Sequence, residues 1–119
     1  MSRMRIVYVA APLNAPTREG IEVNRARASR WVAWAARQGV APIATWITLS
    51  GQWDESPENR ERGLRIDFAL IERCDALWLV GGRVSQGMRL EAEHARIFGV
   101  PVVDLTEYGP EPPELTVRI

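Results

Sequence analysis

The stretch Ile6-Val7-Tyr8-Val9-Ala10-Ala11 indicates the fold class of this protein. It is a continuous apolar run with β-branched and aromatic members, which is typical of a strand buried on both faces in a parallel sheet. Three further runs, at 40–49, 75–80 and 101–105, have the composition of strands, and helical patterns separate them. This alternation predicts a single-domain α/β fold, in which helices flank a mostly parallel sheet in a Rossmann-like or flavodoxin-like three-layer sandwich.

Three helices are predicted between these strands. The first covers 21–38 and stops at a glycine, the second covers 56–73, and the third covers 87–98. Ser56 followed by Pro57 is a helix-start signal, with a capping hydroxyl and a proline at the first helical position. The four tryptophans in regular elements are expected in the core or at an interface, and Trp31 and Trp34 are assigned to different faces of the first helix.

Length and composition limit the number of domains, the partners and the location that we expect for this protein. The 119 residues form one domain over 1–105, followed by a tail at 106–119 that is expected to be extended or docked on a neighbour. The chain has 15 basic and 15 acidic residues, so no bulk attraction to a nucleic acid polymer or a membrane is expected. The single Cys74 suits a reducing compartment, and no targeting segment is recognised, so a cytoplasmic location is expected.

In open parallel sheets, ligands bind outside the carboxyl ends of the strands. That rule selects the loop after Ala10, the region near Trp53 and the segment 81–91. Trp53 offers an aromatic face on which a base could stack, although packing in the protein is the simpler interpretation.

Glu91 is the sharpest candidate in the segment 81–91. It shares a helical stripe with Met88, Ala95 and Phe98, so a carboxylate interrupts an apolar face. Burying a carboxylate costs free energy unless something uses it. The alternative is a carboxylate that caps loop amides, and helix geometry alone does not separate the two interpretations.

Three other residues are weaker candidates. Asp67 flanks the apolar stripe of its helix, and by itself it is more typical of a surface partner for a nearby arginine. Ser85, with Gly87, opens the helix of Glu91 and offers a hydroxyl and free N–H groups to an anion, or simply caps the helix. Tyr8 either projects toward the same rim or packs in the core. The only histidine, His94, has no neighbours at metal-ligand spacing, so neither a metal nor a cofactor is expected.

Four segments, in this order and spacing, resemble one known family. They are Val7 to Leu13, Asp67 with Asp75 eight positions later, Ser85 to Glu91, and Ala95 to Val102. Together they are similar to the nucleoside 2-deoxyribosyltransferase superfamily, either to its branch of 2′-deoxynucleoside 5′-phosphate N-hydrolases or to a small related family of unknown function.

This resemblance implies a set of roles. Glu91 would be the nucleophile that displaces the base, Asp67 would orient or protonate, and Tyr8 would position Glu91. Ser85 stands where the transferase branch has an acid and the N-hydrolase branch has a serine that contacts the 5′-phosphate. Gly87, Ala11, Pro12 and Trp53 would line the site, and Arg83 or Arg18 would add a cation.

The expected function is therefore an N-glycosidase that acts on a nucleoside 5′-monophosphate or a deoxynucleoside, by hydrolysis or base transfer. One alternative is a nucleotide-binding or regulatory module of the same fold with little turnover. A second compares Gly81-Gly82 through Glu91 with the PGGxGTxxE signature of phosphoribohydrolases, but here no proline precedes the glycines and three extra residues intervene. The superfamily commonly completes its sites with a neighbouring subunit, which implies a homodimer or homotetramer.

Overall fold

The computed structural model of the protein describes residues 3–114. Within them no helix is long and apolar enough to cross a membrane. The strands are β1 (Ile6–Ala10), β2 (Ala41–Ile43), β3 (Ala76–Leu79) and β4 (Val102–Asp104). The helices are α1 (Arg18–Arg37), α2 (Thr45–Gln52), α3 (Pro57–Ile71) and α4 (Gln86–Ile97), with a short 3₁₀-helix at Thr106–Tyr108.

The four strands form one sheet in the order β2-β1-β3-β4, and every neighbouring pair is parallel. Helix α1 packs on one face of this sheet, and α3 and α4 pack on the other. The predicted three-layer α/β sandwich is confirmed.

The two faces of the sheet hold two separate cores. Because successive residues of a strand point to opposite faces, Val7 and Val9 enter one core, and Tyr8 and Ala10 enter the other. We call the core on the α1 face the tryptophan core, since it contains Trp31, Trp34 and Trp78. The core on the opposite face, between the sheet and the pair α3 and α4, is called the site-side core.

The second predicted strand is wrong over most of its length. Only Ala41–Ile43 pairs with β1, and the chain then turns into the helix α2. The β-branched residues of 40–49 suggested a strand, but tertiary contacts override such preferences. The indole N–H of Trp46 donates to the carbonyl of Val9 at 3.0 Å, and the guanidinium of Arg25 donates to the carbonyl of Ile47 at 2.8 and 3.1 Å. These bonds hold α2 against the end of β1 and against α1.

Two expectations for α1 are corrected. The helix begins at Arg18 rather than at residue 21, because the Thr17 hydroxyl accepts a hydrogen bond from the N–H of Gly20 at 3.0 Å. Trp31 and Trp34 do not lie on different faces: both are buried in the tryptophan core, with ring centroids 5.3 Å apart. Residues three apart are neighbours on a helix surface, so neither indole is exposed for a subunit contact.

The C-terminal segment docks on α1 as a strap, which we define as Gly109–Glu111. The indole N–H of Trp31 donates to the carbonyl of Pro110 at 2.8 Å. The carboxylate of Glu111 accepts from the guanidinium groups of Arg27 and Arg30 at 2.8 Å each. Before the strap, residues 106–108 form the 3₁₀-helix, so this part of the tail is not extended as predicted. Residues 115–119 of the predicted tail lie outside the described part of the chain.

Candidate active site

A cleft of about 180 Å³ opens at the carboxyl end of β1. Its walls come from α2, from the following loop, from α3, and from the first two turns of α4. Six of the residues selected from the sequence line it: Ala11, Trp53, Asp67, Ser85, Gly87 and Glu91. The cleft therefore occupies the position that parallel-sheet topology predicts for a ligand site.

Glu91 lies on the inward face of α4, where it is only 8% exposed. The hydroxyl of Tyr8, in the middle of β1, donates to Oε2 of Glu91 at 2.6 Å, a bond that joins residues 83 positions apart. Burial, followed by the negative charges of Glu91 and Asp67, raises the pKa of Tyr8 well above its usual value. The phenol therefore remains a donor and holds one carboxylate oxygen of Glu91 in place.

The stripe that suggested this arrangement holds for Met88, Glu91 and Ala95, which are all buried. It fails at Phe98, which follows the end of α4 and is 54% exposed, while Ala92 is buried. Phe98 packs beside His94 instead, with ring centroids 4.7 Å apart.

Asp67 lies on the face of α3 that points into the cleft. It is 9% exposed, and its Oδ1 has no hydrogen-bond partner in the structure. The interpretation of Asp67 as a surface partner of an arginine is therefore wrong. A buried polar atom without a partner costs free energy, and at a site this is explained when a ligand supplies the missing donor.

The two carboxyl groups have strongly perturbed proton affinities. Burial is the largest cause that raises the pKa of Glu91, and the charge of Asp67 raises it further. Burial likewise raises the pKa of Asp67, against the lowering effect of the Tyr8 hydroxyl. Two carboxylates that share a buried site do not both ionise readily, so their protons belong to the pair rather than to either residue. Such a pair is equipped to hold one proton and one negative charge near neutral pH.

The N-terminus of α4 forms the polar end of the cleft. Ser85 caps the helix, and its hydroxyl accepts from the N–H of Met88 at 3.3 Å. Gly87 follows in the first turn, and a Cβ added there would meet no other atom within 4 Å. The protein therefore leaves this space open, beside a helix end that favours anions.

Two predicted binding residues are not in this cleft. Pro12 and Arg83 line a separate hollow of about 30 Å³ beside Arg27. For Arg83, the two preceding glycines contribute: Gly81 and Gly82 have φ values of +98° and +90°, and the turn leaves Arg83 beside α1. Arg18, exposed at the start of α1, does not line the cleft either.

Comparison with known proteins places the chain in a family. Residues 5–105 match the profile described as Domain of unknown function (DUF7768). The protein is a member of the DUF7768 family. No curated protein matches the sequence. The matched region contains all the cleft residues and ends at Leu105, directly after β4, so the strap lies beyond the DUF7768 region.

Some DUF7768 cleft residues were not found from the sequence. Trp46 and Leu49 were assigned to a strand, so their position on the wall formed by α2 was not anticipated. Arg60 also lines the cleft. A signal for it existed: Arg60, Leu64 and Asp67 follow one another at spacings of four and three, which places them on one face of α3.

His94 joins the two helices that pack on one face of the sheet in this DUF7768 domain. Its ring stacks on Phe68 of α3 with centroids 4.0 Å apart, and its Nε2 lies 2.7 Å from Oε2 of Glu72. Within residues 3–114 no three His, Cys, Asp or Glu side chains are grouped so that they could hold a metal ion. His94 therefore connects α3 with α4 and helps to bring Asp67 and Glu91 to one cleft.

Proposed function

We propose that this protein is an N-glycosidase that cleaves the bond between base and sugar in a nucleoside 5′-monophosphate or a deoxynucleoside. The observation that carries the proposal is the pair of buried carboxyls, Glu91 and Asp67, facing one cleft with the Tyr8 hydroxyl bonded to Glu91. Retaining glycosidases use two carboxyl groups in this way, one as nucleophile and one as acid and base.

In the proposed reaction the free oxygen of the Glu91 carboxylate attacks the anomeric carbon. The bond from that carbon to the base nitrogen breaks, and its electron pair leaves with the base, which takes a proton from Asp67. In the free protein the shared proton lies on Glu91, whose pKa is raised further than that of Asp67. The proposed reaction therefore requires this proton to move to Asp67 when substrate binds, and the hydrogen bond from Tyr8 stabilises the negative charge then left on Glu91. Water, or a second base, then attacks the glycosyl ester, and Asp67 accepts a proton from the attacking water.

The same pair supplies both the nucleophile and the proton, so the proposed reaction uses no metal or cofactor. The enzyme would act in the cytoplasm on free nucleotides, as a homodimer or homotetramer. Two features support an assembly: the cleft is smaller than a typical ligand pocket, and Ile97 and Phe98 expose apolar side chains at the end of α4.

The direct test is release of free base. Purified protein is incubated with a panel of ribo- and deoxynucleoside monophosphates and the matching nucleosides, and free base is quantified by chromatography. We expect base release from at least one nucleotide. If no member of the panel is cleaved, the N-glycosidase proposal is wrong. A rise in melting temperature with a nucleotide but without turnover would instead support the binding-module alternative.

Replacing Ser85 with Asp should separate phosphorylated from unphosphorylated substrates. Aspartate retains the helix cap of α4 but adds a negative charge beside the proposed phosphate. We expect kcat/KM for the nucleotide to fall by roughly 10- to 100-fold, while kcat/KM for the nucleoside stays within about twofold. The Ser85→Thr variant, which retains both the hydroxyl and the charge state, is the matched control. Equal losses for nucleotide and nucleoside in Ser85→Asp would contradict a phosphate contact at this position.

A further inference from the structure

The cleft has two ends of different chemistry. Since β2 and β3 lie on either side of β1 in the sheet, the helices that follow them, α2 and α4, flank the end of β1 from opposite sides. The end at α4 is polar and carries Ser85 and Gly87. The carboxyl pair, Glu91 and Asp67, lies deeper in the cleft. The residues at the α2 end take no part in the cleavage reaction proposed above.

The end at α2 is an apolar slot, which we define by Trp46, Leu49, Trp53 and Leu64. Each of its two indoles, those of Trp46 and Trp53, lies against the backbone of a neighbouring element. Trp46 is fixed through the bond from its N–H to the carbonyl of Val9. Trp53 lies over Gly63, where an added Cβ would be 3.6 Å from the indole Cζ2. Aromatic walls of this kind suit a flat heterocycle, because they offer large contact area with little loss of side-chain freedom.

Two opposite charges stand together at the rim of this slot. Both Arg60 and Glu55 line the cleft, and Nε of Arg60 is 3.9 Å from Oε2 of Glu55. Their side chains are 68% and 40% exposed, so this long, solvated contact stabilises the fold little. The pair therefore presents a row of donors beside an acceptor, and both remain available to a ligand.

We propose that Arg60 and Glu55, at this rim, form hydrogen bonds with the edge of the base. By these bonds the protein binds oxo-bases, such as guanine, hypoxanthine, thymine and uracil, more tightly than the amino-bases adenine and cytosine. This inference rests on the proposed function, because it assumes that the sugar lies at the carboxyl pair and the phosphate at α4. The base then falls in the apolar slot, with its outer edge at Arg60 and Glu55.

The selection follows from the order of donors and acceptors. An oxo-base presents a carbonyl oxygen next to a ring N–H, which match the guanidinium donors of Arg60 and the carboxylate acceptor of Glu55 respectively. An amino-base presents an amino group next to an unprotonated ring nitrogen. In that arrangement a donor faces Arg60 and an acceptor faces Glu55, and such mismatched polar groups lose binding free energy.

The test measures binding without turnover, on the Glu91→Gln variant, so that it does not depend on cleavage. Dissociation constants are determined by calorimetry for dGMP against dAMP and for dUMP against dCMP. We expect each oxo-base to bind about 10-fold or more tightly than its amino counterpart. Arg60→Gln and Glu55→Gln should each bring both ratios to within about threefold of one.

Arg65→Gln and Glu61→Gln, exposed substitutions on α3 outside the cleft, are the matched controls and should leave the ratios unchanged. Ratios near one in the parent variant, or ratios that persist after both rim substitutions, overturn the inference even if wild-type protein releases base. Oxo-base selectivity that depends on the rim, in a wild-type protein that releases no base, would instead retain the inference and reject the N-glycosidase proposal.

Discussion

Replacing Glu91 with Gln is expected to lower base release by roughly 10⁴-fold or more while leaving the fold intact. Glutamine has nearly the same shape as glutamate, and its amide oxygen still accepts the Tyr8 hydroxyl that now lies 2.6 Å from Glu91 Oε2. An amide is not a nucleophile, however, so no glycosyl ester forms. The measurement is kcat/KM for the best nucleotide of the panel, with thermal unfolding recorded on the same samples.

Glu93→Gln is the matched control for this experiment. Glu93 lies two residues along α4 on the exposed side, so the same exchange of glutamate for glutamine is made in the same helix without touching the cleft. It should retain at least about half of the wild-type kcat/KM. Activity of Glu91→Gln within tenfold of wild type would rule out Glu91 as the nucleophile.

The second large effect concerns stability against pH. Glu91 and Asp67 have folded-state pKa values raised above those of the unfolded chain, mainly by burial, to about 8 and about 6. As carboxyls with raised values, they contribute stability that is complete below the unfolded values near pH 4. That contribution is lost as the pH rises through the folded values. The free energy of unfolding should therefore decline between about pH 5 and pH 9.

Replacing either carboxyl of the buried pair with an amide should reduce this fall in the free energy of unfolding. At pH 8 we expect Glu91→Gln to unfold with a free energy on the order of 2–4 kcal/mol above that of wild type, and the difference should vanish near pH 4. Asp67→Asn should act in the same direction with a smaller magnitude. Urea unfolding at intervals from pH 4 to pH 9 gives these differences, and Glu93→Gln again serves as the control. A difference that does not grow with pH would show that the pair is not buried as described.

Below about pH 5, a further carboxyl group also changes the free energy of unfolding. The carboxylate of Glu111 accepts bonds from Arg30 and Arg27, which lower its pKa to about 2. Its contribution is present above the unfolded value and is lost as the pH falls toward 2, which is opposite in sign to that of the buried pair. Since Glu111 is exposed, this contribution is small.

Much of the fold could be predicted from the sequence, because β1 is an unbroken apolar run and β3 follows the same pattern. The region 40–49 could not. Its β-branched residues fit a strand, and the bonds from Trp46 and Arg25 that hold α2 join residues distant in the chain. Local pattern carries no information on such contacts.

The site was predictable to a different extent. Met88, Glu91 and Ala95 reveal an inward carboxylate from helical spacing alone. Asp67 does not, since its burial depends on how α3 packs against α4 through Phe68 and His94. Arg83 or Arg18 was the expected cation. Neither lines the cleft, since Arg83 lies beside α1 after a glycine turn, and Arg60 lines the cleft instead.

Alternate side chains of β1 and β3 enter two different cores, and this affects which substitutions disturb the candidate site. The tryptophan core and the carboxyl pair are separated by the full thickness of the sheet. Substitutions among the indoles alter how firmly the chain folds, whereas the hydrogen bond from Tyr8 to Glu91 belongs to the opposite layer. Among the cleft residues, Trp46 contacts both cores, so it is the point at which a change on one side can reach the other. In this protein, conservative substitutions among the buried indoles are therefore expected to lower the free energy of unfolding more than they displace the carboxyl pair.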